Sequence, residues 1–184
     1  EVSKSVPTTV VVGASDKVTA KFLQDVFMNE NFRVYTSNDL LGIEIGAALK
    51  NVIALAAGTS DGLGFGDNTK AALMTRGIAE ITRLGIAMGG NPETFAGLSG
   101  MGDLIVTCSS KHSRNRMAGY YIGKGYTAKE AMDKVQQVVE GANSAKAALA
   151  LAKKYNVEMP IVEQINLVLF EDKNPKEAVS NFLL

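Results

Sequence analysis

Residues 40–58 read LLGIEIGAALKNVIALAAG, and how this stretch is read decides the fold. Nearly every position is apolar or small, yet Lys50 stands near its middle. A surface helix shows an apolar stripe and a polar face, whereas a helix apolar all round is buried all round. Glu44 does not stand one helical turn from Lys50, so no i,i+4 pair forms and the lysine needs a partner from elsewhere in the chain. Lysine is seldom fully buried unless paired, and desolvation favours its neutral amine, a proton acceptor. That is the chemistry of a general base. The plainer reading puts Lys50 at the helix edge, its stem over apolar surface and its ammonium in water, and residue statistics alone favour it.

The chain has 184 residues with 46% hydrophobic content, enough for a single real core. Lys+Arg and Asp+Glu both total 19, and no long basic run is present. This balance argues against nucleic acid or an anionic membrane surface as the main partner. The stretch 40–58 is about as long as a membrane span, but Glu44, Lys50, Asn51 and its glycines make insertion costly. One cysteine, Cys108, admits no intrachain disulfide, and no signal-like start is seen, which makes a reducing cytoplasm the expected compartment. With a single histidine, His112, and no HExxH or CxxC spacing, no metal site is expected.

Upstream, TTVVVGA (Thr8–Ala14) is a β-branched run ended by glycine and reads as a strand buried on both faces. Asp16–Met28 follows with Val18, Phe22 and Val26 one turn apart, an amphipathic helix, and FRVYT (Phe32–Thr36) alternates as a second strand. Strand, helix, strand makes a βαβ unit with parallel pairing. A parallel sheet needs more strands and cover on both faces, so this unit reads as the tail of a larger α/β domain. The turn Gly13–Asp16 lacks GxGxxG, and no dinucleotide fingerprint is claimed for it.

From Asp39, a candidate N-cap, the chain turns helical, and the fold class is mainly α. Gly42 and Gly46 have the spacing of a close helix contact, and SDGLGFGDN (Ser60–Asn68) reads as a glycine-rich loop between helices. Asn68–Met88 is a helix with Met74, Ile78, Ile81 and Met88 inside and an Arg76–Glu80 pair on its wet side. Further helices begin near Met101, Ser113, Thr127, Asn143, Pro160 and Asn174, Thr127 with Glu130 at capping-box spacing.

Besides Lys50, the strongest constellation is KHSRN (Lys111–Asn115) at a helix start. Exposed N–H groups and the positive helix end attract an anion there, and the Arg114 fork can grip a phosphate twice, with Ser113 and Asn115 completing the cradle. Standing alone, the segment reads more simply as a solvated cap, with His112 a surface residue. Asp103 follows two glycines in SGMGD, shares a helix face with Thr107, and serves either as a cap or as a partner to the Lys50 amine. Glu140, in VVEG between helices, either binds a ribose hydroxyl or lies exposed.

Taken together, GAALKNVIALAAG (Gly46–Gly58), DGLGFGDNTKAAL (Asp61–Leu73), LSGMGDLIVTC (Leu98–Cys108), SRNR (Ser113–Arg116) and VVEG (Val138–Gly141) resemble the NAD(P)-dependent glycerol-3-phosphate dehydrogenases. The motifs extend over most of the helical portion in family order. The resemblance implies reversible reduction of dihydroxyacetone phosphate to sn-glycerol 3-phosphate with NADH or NADPH. It makes Lys50 the general base and, protonated, the acid at the carbonyl oxygen. Asn51, Asp103 and Thr107 would hold substrate hydroxyls and the lysine, Ser113, Arg114 and Asn115 the phosphate end, and Arg114, Val138 and Glu140 the cofactor.

It also divides the chain into residues 1–39, the end of a Rossmann-type dinucleotide-binding domain, and residues 40–184, an all-helical substrate domain. The family's glycine-rich fingerprint is missing from this sequence, so the chain reads as a C-terminal piece, inactive alone. The exposed edge of its sheet remnant either pairs with a second copy or stays mobile. Two rivals stand: another dehydrogenase with a helical second domain, of the 3-hydroxyacid or 6-phosphogluconate type, and a non-catalytic helical dimerisation module with a structural Lys50.

Overall fold

The computed structural model describes residues 1–183. After a short turn of 3-10 helix at Val2–Lys4, strand β1 (Thr8–Gly13), helix α1 (Lys17–Phe27) and strand β2 (Phe32–Ser37) form the βαβ unit. The strands pair in parallel from Thr8 opposite Phe32 to Gly13 opposite Ser37. Asp16 caps α1, its Oδ1 accepting the Thr19 N–H at 2.8 Å, and Gln24 ties the helix to the sheet by donating to the Val34 carbonyl at 2.8 Å.

Two expectations fail in this unit. Strand β1 is half-exposed rather than buried on both faces. The apolar stripe of α1 points to solvent, with Val18 80%, Phe22 64% and Val26 57% exposed. The cause is the small sheet: two strands cover one side of one helix, and the side carrying Ala20 is the one they take. Amphipathicity was read correctly, but the stripe faces away from everything this chain supplies.

The rest is helical: α2 (Leu40–Leu63), α3 (Asp67–Ala87), α4 (Pro92–Ala96), a π turn at Leu98–Gly102, α5 (Asp103–Ser109), α6 (Arg114–Gly123), α7 (Ala128–Val135), α8 (Glu140–Tyr155), α9 (Pro160–Phe170) and α10 (Pro175–Leu183). Helix α2 is the axis of the bundle and touches α3, α4, α5, α6, α8, α9 and α10. Every residue from Val52 to Ser60 is buried, which explains why α2 is apolar enough in length and composition to cross a membrane while forming the centre of this core.

Helix α2 runs on past Gly58 to Leu63, and Gly64, at φ 86°, ends it, so Gly62 belongs to the helix and not to the expected loop. The reason is a close crossing with α6. A Cβ on Gly58 would lie 1.9 Å from the Arg116 carbonyl oxygen, and one on Gly119 would lie 2.1 Å from that of Leu55. Gly62 and Gly123 meet one turn further on in the same way. Of the Gly42–Gly46 pair, Gly46 makes the expected close backbone contact, with Ser99 in the π turn, while Gly42 lies against the Asp39 carboxylate.

Two helices take their N-caps from other helices. The expected Arg76–Glu80 pair on the wet side of α3 does not form: Glu80 is 2% exposed and accepts the Ile161 N–H at 2.8 Å and the Val162 N–H at 3.4 Å, in the first turn of α9. Helix α8 starts at Glu140, ahead of the expected Asn143, because Asn115 Oδ1 accepts the Gly141 N–H at 2.8 Å. The Thr127–Glu130 capping box of α7 and the Asp39 cap of α2 form as the sequence implies.

Candidate active site

Just before its buried run, α2 reaches the surface at Lys50 and Asn51. The Lys50 amine is neither free in water nor sealed away: it meets Asp103 Oδ2 at 2.5 Å, the two side chains 21% and 31% exposed. Asp103 is brought there by the π turn ahead of α5. Gly100 lets that turn press on Phe95, whose carbonyl oxygen would lie 2.1 Å from a Cβ. One turn along, Thr107 Oγ1 donates to the Asp103 carbonyl at 2.6 Å and stands 3.5 Å from its Oδ1, which ties the carboxylate to the helix.

Helix α6 supplies the opposite wall. Ser113 caps it, Oγ accepting the Arg116 N–H at 3.2 Å. Arg114 pairs through Nη2 with Glu140 Oε1 at 2.8 Å, both side chains about two-fifths exposed. Asn115 is buried; its Nδ2 donates to Asn51 Oδ1 at 3.0 Å while its Oδ1 serves Gly141, so one amide joins α2, α6 and α8. Lys50, Asn51, Asp103 and Thr107 on one side and Ser113, Arg114, Asn115 and Glu140 on the other line a single cleft of 550 Å³. Val138 does not line it; it lies 66% exposed just ahead of α8.

Ala47, Val106, Ser110 and His112, which no motif in the sequence marks as site residues, line the same cleft. Helical spacing carries the signal for three of them: Ala47 stands one turn from Lys50, Val106 one turn from Asp103 and Ser110 one turn from Thr107. Cys108, also on α5, is buried outside the cleft near Lys70, Asp61 and Arg116, and desolvation pushes its thiol up to about 12, which disfavours the reactive thiolate. A larger cleft of 790 Å³ lies between the ends of β1 and β2 and helix α4; it is lined by Asp16, Lys17 and Glu93, but Asp16 is already bound to Thr19, and among the described residues no lysine–carboxylate pair like Lys50–Asp103 faces it.

The cleft therefore holds two cations, two carboxylates and the N-terminal end of a ten-residue helix. That helix end and the Arg114 fork suit a phosphate. Lys50, held by Asp103, suits proton exchange with an oxygen a few ångströms away.

The family described as the NAD-dependent glycerol-3-phosphate dehydrogenase C-terminus matches residues 39–180. The chain belongs to that family. A glycerol-3-phosphate dehydrogenase [NAD(P)+] of Agathobacter rectalis is 66% identical over the whole chain, which covers 55% of that relative. One from Fusobacterium nucleatum is 63% identical, with 55% of it covered. Among solved structures, a glycerol-3-phosphate dehydrogenase from Coxiella burnetii superposes with a TM-score of 0.96 at 40% identity, over 99% of this chain and 56% of that one. The chain thus spans about half the length of the curated glycerol-3-phosphate dehydrogenases it matches.

Arg114 and Glu140 form a charged pair open to solvent at the cleft's edge; Val106 beside them is 61% exposed, and Val138, outside the cleft, is 66% exposed.

Proposed function

We propose that the protein containing this chain reversibly reduces dihydroxyacetone phosphate to sn-glycerol 3-phosphate with NADH or NADPH, and that this chain supplies its substrate pocket and proton donor. The observation that carries the reading is that the Lys50–Asp103 pair and the Arg114 helix end face one cleft. A three-carbon phosphate has a dianionic end for the second and a reacting oxygen for the first.

Lys50, as the ammonium held by Asp103, gives a proton to the carbonyl oxygen in reduction and takes it back in oxidation. Asp103 fixes the amine at one point, and Thr107 fixes Asp103. The substrate phosphate lies against Ser113 and the Arg114 fork, with Asn51 and Asn115 between them and the lysine. Arg114, Val138 and Glu140 are the chain's contacts to the dinucleotide, which when bound supplies or accepts the hydride. Residues 1–39 then belong to the dinucleotide-binding domain and residues 40–184 to the substrate domain.

Equal numbers of acidic and basic residues support a small molecule as partner over nucleic acid or a membrane. A single, buried, unpaired cysteine supports a reducing cytoplasm. The test is the full-length protein assayed with dihydroxyacetone phosphate and each reduced dinucleotide. Consumption of NADH or NADPH supports the reading; its absence with both, in a folded protein, refutes it.

A further inference from the structure

Three ionised side chains outside the cleft meet where α2, α3 and α6 come together. Asp61, in the last turn of α2, holds Lys70 Nζ on Oδ1 at 2.7 Å and Arg116 Nη2 on Oδ2 at 2.6 Å. The side chains of Asp61, Lys70 and Arg116 are only 12%, 18% and 13% exposed. None of the three lines the candidate active site. Withdrawing such charges from water opposes their mutual attraction, and well-packed apolar residues often serve stability as well or better. Arg116 is not even saturated, since its buried Nε has no partner among the described residues. Stability is therefore a poor reason for the cluster, and geometry is a better one.

Arg116 stands two residues after Arg114, close to the opposite side of α6 at about 100° per residue. The glycine crossing brings α6 against α2 but leaves a smooth seam, with Gly58 and Gly62 on one helix and Gly119 and Gly123 on the other. A glycine seam sets the distance between two helices without fixing one along the other. A slip of one residue is about 1.5 Å. That is enough to break the 3.0 Å bond from Asn115 to Asn51 and the 2.8 Å bond from Gly141 to Asn115. We infer that Asp61 is a positioning residue: by gripping Arg116, with Lys70 holding its other oxygen, it sets the register of α6 and so the places of Arg114 and Asn115 opposite Lys50 and Asn51.

This rests on the proposed activity, and the test separates the two. In the full-length protein, Asp61→Asn keeps the side chain's shape and removes its charge. The expected result is a KM for glycerol 3-phosphate raised about ten-fold with kcat changed less than about three-fold. Hydrogen exchange in residues 113–117 should quicken about ten-fold, without change in the first turn of α7. Thr127→Ala, which weakens the α7 cap, is the control for lost stability alone and should leave KM unchanged. An unchanged KM and unchanged exchange in Asp61→Asn would overturn the inference, as would an equal rise in KM from Thr127→Ala. If the unsubstituted protein does not oxidise glycerol 3-phosphate, the activity reading fails and exchange alone decides: quickening confined to residues 113–117 supports the register role, and no change refutes it.

Discussion

Glu80 Oε1 accepts the backbone N–H of Ile161 at 2.8 Å, so a carboxylate from the middle of α3 caps α9. Burial pushes the Glu80 pKa from 4.5 up to about 7, against the opposing pull of the Ile161 and Val162 N–H groups and the charges of Arg83 and Arg76. An acid whose folded pKa is raised is more protonated folded than unfolded across that window, so the contribution of Glu80 to stability is full below about 4.5 and is lost as pH rises through 7. The loss is on the order of 3 kcal/mol, at about 1.4 kcal/mol per unit. Glu80→Gln, which cannot ionise, should flatten the fall between pH 5 and 8 in urea unfolding of the full-length protein. Parallel stability curves for variant and parent would count against this account.

The crossing of α2 and α6 makes a sharper prediction about volume. A Cβ on Gly119 would lie 2.1 Å from a backbone oxygen, where no side chain can yield, so Gly119→Ala must push the helices apart. Overpacking of this kind costs about 2–3 kcal/mol. Gly102, helical at φ -60° and ψ -49°, meets nothing closer than 3.8 Å. There alanine should raise stability by about 0.5 kcal/mol through the unfolded chain. Thermal midpoints of the two variants should therefore move in opposite directions, and a common direction would contradict the packing described.

What could be read from the sequence is what neighbouring residues decide. The all-round apolarity of 40–58 identified the central helix, the β-branched run at Thr8–Ala14 and the alternation at Phe32–Thr36 implied the parallel pair, and Ser113, Thr127 and Pro160 marked helix starts from local chemistry. What escaped is decided by partners far along the chain. Glu80 reads as half of a surface pair on its own helix, and only the packing of α9 against α3 makes it a cap. Glu140 reads as a loop residue because the cap of α8 comes from Asn115. Gly58 and Gly62 resemble helix breakers until Gly119 and Gly123 lie against them. From the residues alone the cleft was legible as separate stretches, with Lys50, Asp103 and Arg114 each singled out and Asp103 open as a partner to the Lys50 amine; only the family resemblance put Glu140 beside Arg114, since no local spacing joins them.

Asp39, where β2 gives way to α2, ties the first turn of α2 to the start of α4. Its Oδ1 accepts the Gly42 N–H at 2.9 Å, and its Oδ2 takes the Asn91 N–H at 2.8 Å and the Thr94 hydroxyl at 2.6 Å. Burial alone would raise its pKa, but the bonds from Thr94, Asn91 and Gly42 outweigh it and hold the group below its ordinary 3.8. A depressed carboxylate contributes stability that is present above the unfolded pKa and is lost as pH falls through the folded one. Asp39→Ala should cost about 1–2 kcal/mol at pH 7, as the loss of a cap does. The gap between variant and parent should narrow below about pH 4, measured by urea unfolding; a gap independent of pH would remove the charge from the explanation.

The last prediction concerns what Lys50 contributes beyond charge. Asp103 holds its amine at 2.5 Å, and either electrostatic attraction or proton transfer to a substrate oxygen would use that geometry. Arginine separates them, since it keeps the positive charge and the pairing but is not deprotonated in proteins. In the full-length protein Lys50→Arg should lower kcat for glycerol 3-phosphate oxidation by about 10²- to 10⁴-fold, the usual weight of a positioned acid or base. KM should change little, because the proposed phosphate grip lies on α6. Lys50→Met should fall at least as far, and Asp103→Asn, which leaves the amine without its charged partner, should show a smaller loss of kcat. If Lys50→Arg kept kcat within about ten-fold of the parent, the lysine would act as a fixed charge and the proton would have to travel by another group in the cleft.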